Sequence, residues 1–225
     1  IQDEIALSLE TESIEKTLSI IELIKSGGLA GQLIIALLTV LLVVALYIYF
    51  ERLFTIKAAS KVDPNFMNQI KDHVVNGKIE AAKVLCTNIN SPVSRLIHKG
   101  ISRIGRPLAD INSAIENAGK LEVYTLEKNV SVLATISGAA PMIGFLGTVI
   151  GMILSIFEIA NSGGQIDIKL LADGLYTAMT TTLAGLVVGI IAYISYNHIV
   201  GRTNKVVYQM EANSVEFLDL LNEPI

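Results

Sequence analysis

The chain has 225 residues, 52% hydrophobic and 17% charged, with a formal charge of −4 and no Trp. That balance carries no signal for nucleic acid and points to a membrane protein. One cysteine, Cys86, excludes an internal disulfide framework and a Cys-rich metal site, and is expected to be an ordinary buried thiol.

Residues 1–15 are acidic and lack an apolar core, so no cleavable signal peptide is expected there. Ile14, Leu18, Ile21 and Leu23 or Ile24 recur at helical spacing among Glu4, Glu10, Glu12, Glu15 and Glu22. Ser19 with Glu22 fits a capping box, and Ser26-Gly27-Gly28 a helix stop. Residues 1–28 therefore read as an external segment with an amphipathic helix. Two surfaces suit it, a membrane interface or a soluble partner helix; a surface-binding helix would carry Lys and Arg on its polar face.

Residues 33–50 contain no charge and suffice to cross hydrocarbon, so the first span is placed at 29–50, ended by Glu51-Arg52. Between 51 and 128 lie twelve Lys or Arg and eight Asp or Glu, against two basic and six acidic residues before the span. The positive-inside rule then puts 51–130 in the cytoplasm as a helical region and the N-terminus outside. Within it, Asp63-Pro64 reads as an N-cap with Pro at the first helical position, and Asn76-Gly77 as the stop. A second short helix covers 78–85, and Ser91-Pro92 opens a third to about Ile104, broken by Gly105-Arg106-Pro107. His73 and His98 lack the partners of a zinc site.

After Pro107 no strong breaker occurs before Pro141, which a membrane helix tolerates. Ile111, Ile115, Ala118, Glu122, Leu126, Val130 and Leu133 form a mostly apolar stripe, so one helix is expected from Leu108 to Ala160, about 80 Å long. The second span lies at 131–160. Asn161-Ser162-Gly163-Gly164 is a turn in a short external loop at 161–172. The third span covers 173–200, and 201–225 continues as a cytoplasmic helix. The fold class is all-α: three transmembrane helices, two of them long and reaching into the cytoplasm.

The spans carry no central ionisable residue; Glu158, Asp173 and His198 fall near their ends. They do carry small and hydroxyl residues. Gly147 and Gly151 form a G-x-x-x-G pair that permits close backbone approach. Gly144, Thr148, Gly151 and Ser155 share one side of the second helix, and Ala178, Thr182, Gly185 and Gly189 one side of the third. Ser137, Thr177, Thr180 and Thr181 add further hydroxyls. Two roles fit them: satisfying helix carbonyls, or lining a polar cavity that receives an ion or another helix. Pro141 frees the carbonyl of Ser137 and is expected to loosen the second helix. Ser137 and His198 differ in depth and no G-x-S-x-G motif surrounds the serine, so a protease dyad does not fit. No phosphate-binding Gly-rich loop is present, and the chain is not expected to be an enzyme.

The run Ala140-Pro141-Met142-Ile143-Gly144-Phe145-Leu146-Gly147-Thr148-Val149-Ile150-Gly151-Met152-Ile153 resembles the second-span signature of the MotA/TolQ/ExbB family, most closely its ExbB and TolQ branch. Thr182-Leu183-Ala184-Gly185-Leu186-Val187-Val188-Gly189-Ile190, followed by Tyr196-Asn197, resembles the third-span signature. Gly27-Gly28 and Glu51-Arg52-Leu53 also fit. The resemblance runs from Ser19 to about Arg202.

It implies an inner-membrane motor subunit, multi-pass, assembled as a ring, usually a pentamer, around a dimer of a single-span ExbD/TolR-like partner. The partner's membrane Asp carries the coupling ion, and a TonB-like protein receives the work. Thr148 and Thr182 match the family's pore-facing threonines; Thr181, Ser155 and Thr177 join them as pore-facing candidates, with Pro141, Gly144, Gly147, Gly151, Gly185 and Gly189 as packing residues. No cofactor is implied beyond the coupling ion, a proton, with sodium as the alternative. The family usually carries Glu five residues before the third-span Thr; here Thr177 occupies that place, which removes a carboxylate relay and leaves hydroxyl oxygens suited to a hard cation. A TolQ-like or gliding or flagellar-type stator, and a non-conducting scaffold, are the alternatives.

Overall fold

The computed structural model describes residues 28–61, 63–161 and 168–222. Every element among them is a helix: α1 Gly28–Ala59, α2 Phe66–Val75, α3 Ile79–Ile89, α4 Pro92–Ile101, α5 Leu108–Leu126, α6 Val130–Asn161 and α7 Ile168–Asn222. Three of them, α1, α6 and α7, are long and apolar enough to cross a membrane. The expected amphipathic helix before Gly28 and most of the turn and loop between α6 and α7 lie outside the described residues.

Two compact units form, the first from residues up to Leu42 with Gly138–Ile190, the second from Val43–Ser137 with Ile191–Ile225. Within the first unit, residues 30–42, 138–157 and 174–190 carry no charge, and its described charged residues, Glu158, Lys169 and Asp173, sit toward the ends of α6 and α7 that flank the loop. Its outer faces expose large apolar side chains such as Met142, Phe145, Ile156, Met179 and Leu183. Such faces suit lipid or another apolar chain, because hydrocarbon cannot satisfy polar groups.

The second unit is a conventional apolar core built on short helices. Phe66, Ile70, Val93, Ile97, Ile101 and Ile115 are buried, together with Ile199, Val206, Met210 and Phe217 from α7. Gly100 allows the closest approach: a β-carbon there would lie 2.6 Å from the Phe217 ring and 2.8 Å from Ile115 Cδ1. Burying a ring the size of Phe217 contributes about 1.5–3 kcal/mol. Cys86 is buried on α3, and desolvation pushes its thiol up to about 12, as the sequence led one to expect of an inert thiol.

The helix ends follow capping chemistry, with four departures from the sequence reading. Ser91 does open α4: its hydroxyl accepts the Ser94 N–H at 3.1 Å and its own N–H donates to Ser94 Oγ at 2.8 Å. That helix stops at Ile101 rather than Ile104, and a tight turn ends at Gly105, whose φ of +93° favours glycine. The Asp63-Pro64 cap is corrected: Asp63 accepts the Asn65 N–H at 2.9 Å as an Asx turn, and Asn65 takes the N-cap position of α2. The second short helix extends to Ile89, where Asn90 in the left-handed region ends it.

The fourth departure lies in the long helices. Past the uncharged stretch, α1 runs on through Glu51-Arg52 to Ala59; Arg52 is only 6% exposed because its Nη1 donates to the Thr125 carbonyl at 2.9 Å while Glu51 pairs with the same guanidinium. A charged pair can continue a helix when it finds partners, and a buried guanidinium needs them. The single helix from Leu108 to Ala160 is broken at Glu127–Asn129, with Asn129 at φ +62°. Asn tolerates that conformation because its short amide bonds locally, and no Gly or Pro was present to announce it. The helices that extend well past their apolar stretch are α1 and α7.

Candidate functional site: a glycine and threonine helix pair

In the first unit α6 and α7 pack through two matching rows of small residues. Ala140, Gly144, Gly147, Gly151 and Ser155 on α6 meet Gly185, Thr181, Ala178 and Gly174 on α7, in antiparallel order. Both rows advance by three or four residues, which keeps them on one helix face. A β-carbon on Gly185 would lie 2.6 Å from the Ala140 carbonyl oxygen and 2.9 Å from Gly144 Cα. One on Gly144 would lie 2.8 Å from the Thr181 carbonyl oxygen and 3.0 Å from Gly185 Cα. The two backbones touch there, so only glycine fits. Further along, Gly147 accommodates the Thr181 side chain, Gly174 accommodates the Ser155 hydroxyl, and Gly151 lies against Gly174 and Ala178. Close approach of this kind replaces the hydrophobic drive that lipid cannot supply.

The hydroxyls divide into two groups. Ser155, Thr177, Thr180 and Thr181 donate to carbonyls three or four residues back, at 2.9, 2.8, 2.8 and 2.9 Å. Ser155, Thr177 and Thr181 are also buried, Thr181 completely. Thr177 faces the first helix: a β-carbon on Gly31 of α1 would lie 2.8 Å from its methyl group. Thr182 behaves differently, donating across to the Gly144 carbonyl of α6 at 3.2 Å. That carbonyl is also the one that helix geometry pairs with the Thr148 N–H. Thr148 itself is half-exposed and donates to Phe145 O at 2.6 Å. The Thr182 hydroxyl and the Thr148 backbone N–H thus address the same carbonyl group, and both residues keep part of their surface open.

Among the packing candidates, Gly144, Gly147, Gly151 and Gly185 line the α6–α7 contact. Gly189 is buried on α7, and α6 continues as a helix through Pro141. Sequence reasoning overlooked Gly31 and Gly174. The signal for Gly174 was the repeat of small residues at 174, 178, 181 and 185, one step round from the face it chose. Among the described residues no group of His, Cys, Asp or Glu is placed to hold a metal ion.

A polar, charge-free seam of small residues between helices long enough to span a bilayer defines a class: a multi-pass helical membrane protein whose helices are packed for close contact rather than for anchoring. The model of the MotA/TolQ/ExbB proton channel family matches residues 88–212, more than half of the chain, and the chain belongs to that family. It is 27% identical over 194 residues, 86% of this chain and 67% of the relative, to a putative biopolymer transport protein ExbB homolog of Methanothermobacter thermautotrophicus. A biopolymer transport protein ExbB of Aquifex aeolicus is 36% identical over 87 residues, 39% of this chain and 58% of that protein. The Tol-Pal system protein TolQ of Pseudomonas aeruginosa is 23% identical over 228 residues, 96% of this chain and 98% of the relative. The matched stretches cover about half to two thirds of several ExbB-type relatives.

Proposed function

We propose that this chain is the channel and stator subunit of an ExbB-ExbD type motor, coupling proton flow to mechanical work at the cell envelope. The observation that carries the proposal is the Thr182 hydroxyl bonded across the seam to the Gly144 carbonyl, one helical turn before Thr148, in stretches of α6 and α7 that carry no charge. Hydroxyl and carbonyl oxygens there can solvate an ion or a carboxyl group, and in a low-dielectric setting such dipoles act strongly. They cannot carry the charge themselves. A single-span ExbD/TolR-like partner with a membrane Asp supplies it, which requires several copies of this chain around the partner, as in a pentamer. On this reading the protein lies in a bacterial inner membrane, with its N-terminus outside and its C-terminus in the cytoplasm, and a TonB-like protein or a Tol-type machine takes up the work.

Thr148→Val and Thr182→Val keep side-chain shape and remove the hydroxyl. In complexes that still assemble in liposomes with the partner, each is expected to abolish ion-driven flux. Undiminished flux in both variants would remove the site. Replacing protons by sodium as the driving gradient separates the two coupling ions, and flux that persists without the partner's Asp would refute the division of labour.

A further inference from the structure

Where α1 and α7 meet within the second unit, Tyr49, His198 and Arg202 form a short hydrogen-bonded chain. The Tyr49 hydroxyl lies 2.8 Å from His198 Nδ1, and Arg202 Nε lies 2.9 Å from His198 Nε2. The phenol and imidazole rings sit 5.8 Å apart, tilted by 40°. This arrangement determines where the ring proton is. A guanidinium has donors and no acceptor, so Nε2 must offer its lone pair to Arg202. A neutral imidazole then carries its proton on Nδ1, which donates to the Tyr49 oxygen. Both ring nitrogens are engaged, and in one sense only.

We propose that Tyr49, His198 and Arg202 form a pH-sensitive clasp in which the neutral imidazole holds both α1 and Arg202, and protonation of Nε2 expels Arg202 while leaving the link to Tyr49. The step balances simply: one solvent proton adds to the Nε2 lone pair, the Arg202 hydrogen bond breaks, and the Nδ1–H bond to Tyr49 stays. Protonation also sets an imidazolium against a guanidinium, so the two cations separate. Imidazole is the side chain whose charge changes within the physiological range. The charged groups flanking it along the chain are the Glu51–Arg52 pair, next to Tyr49 on α1, and Lys205 on α7; Lys128 at the α5–α6 junction acts on Glu51. Arg52 is committed to Glu51 and the Thr125 carbonyl, so Arg202 is the cation bonded to the ring. The released guanidinium is the output: a mobile positive charge beside the start of the basic region. The clasp does not depend on what the chain conducts.

Nitrogen NMR of the full chain in lipid, with labelled histidine and arginine, tests it directly; the His198 signal is the one missing from His198→Gln. Under mildly alkaline conditions the ring proton is expected on Nδ1. In Arg202→Met, which keeps length and loses the donor, that preference should disappear, while Tyr49→Phe should retain it. On acidification the Arg202 Nε resonance should move in step with the His198 ring signals. A wild-type ring protonated on Nε2 at alkaline pH would overturn the proposal, as would an Arg202 resonance that stays fixed while His198 takes up its proton.

Discussion

The tightest test of the α6–α7 seam is Gly185→Ala, a change of one methyl group. The added carbon would lie 2.6 Å from the Ala140 carbonyl oxygen, about 0.8 Å short of the 3.4 Å at which ordinary contact begins. Its next neighbours, Gly144 Cα at 2.9 Å and Gly144 N at 3.1 Å, are also backbone, so no side chain can swing away. The helices must separate. A gap of 0.5–1 Å already forfeits roughly a quarter to a half of each contact's attraction, and overpacking of this kind costs about 1–3 kcal/mol. The better helix propensity of alanine returns about 0.5–1 kcal/mol. A net loss of about 0–2.5 kcal/mol follows, which is about 1–3 kcal/mol below a Gly→Ala change that meets no contact, along with weakening of the Thr182 bond to Gly144. Gly138→Ala is the control, because nothing lies within 4 Å of its β-position, and it should be neutral or stabilising. Reversible unfolding in mixed micelles, followed by circular dichroism, gives both values. If Gly185→Ala unfolds with Gly138→Ala, the backbone contact described here is not present in the protein.

Two further outcomes concern the second unit. Cys86 should resist maleimide in the folded chain and react fully on unfolding. Its thiol is raised from 9.0 to about 12 by burial, so the stability tied to the neutral form is intact below pH 9 and is lost as pH rises toward 12. Rapid labelling of folded protein near neutral pH would contradict its burial. Asn129→Val should destabilise by about 1–2 kcal/mol, since a β-branched residue is strained at positive φ, whereas Asn129→Gly should be close to neutral. Equal midpoints for the two variants in the same unfolding assay would show that the α5–α6 break is absent.

Much of this architecture is legible in the residues because composition dominates it. Uncharged runs of membrane length mark α1, α6 and α7, and the Ser91-Pro92 start of α4 follows from one capping interaction. Harder to read was which of two neighbouring threonines enters the seam. Thr181 and Thr182 differ by 100° around the helix, and the choice depends on the partner row, whose register no single helix reveals. Thr181 fills the notch at Gly147, leaving Thr182 to reach the Gly144 carbonyl from the side. The pattern was equally silent on Arg52. A charge at the end of an apolar run usually meets water, and its burial here depends on a carbonyl 73 residues away. The break at Asn129 has a similar cause, because a left-handed asparagine is tolerated in many sequences that stay helical.

The second unit is assembled from two stretches of chain that synthesis separates by the whole glycine hairpin. When residues up to Ser137 have left the ribosome, α4 and α5 have their full length, yet the surface at Gly100 and Ile115 still awaits Phe217. Completion therefore comes from the later-made α7 returning to cover an earlier-made face. Removing residues after about 200 would thus take away Phe217, leave the surface at Gly100 and Ile115 open, and give proteases and chaperones a core that never closed.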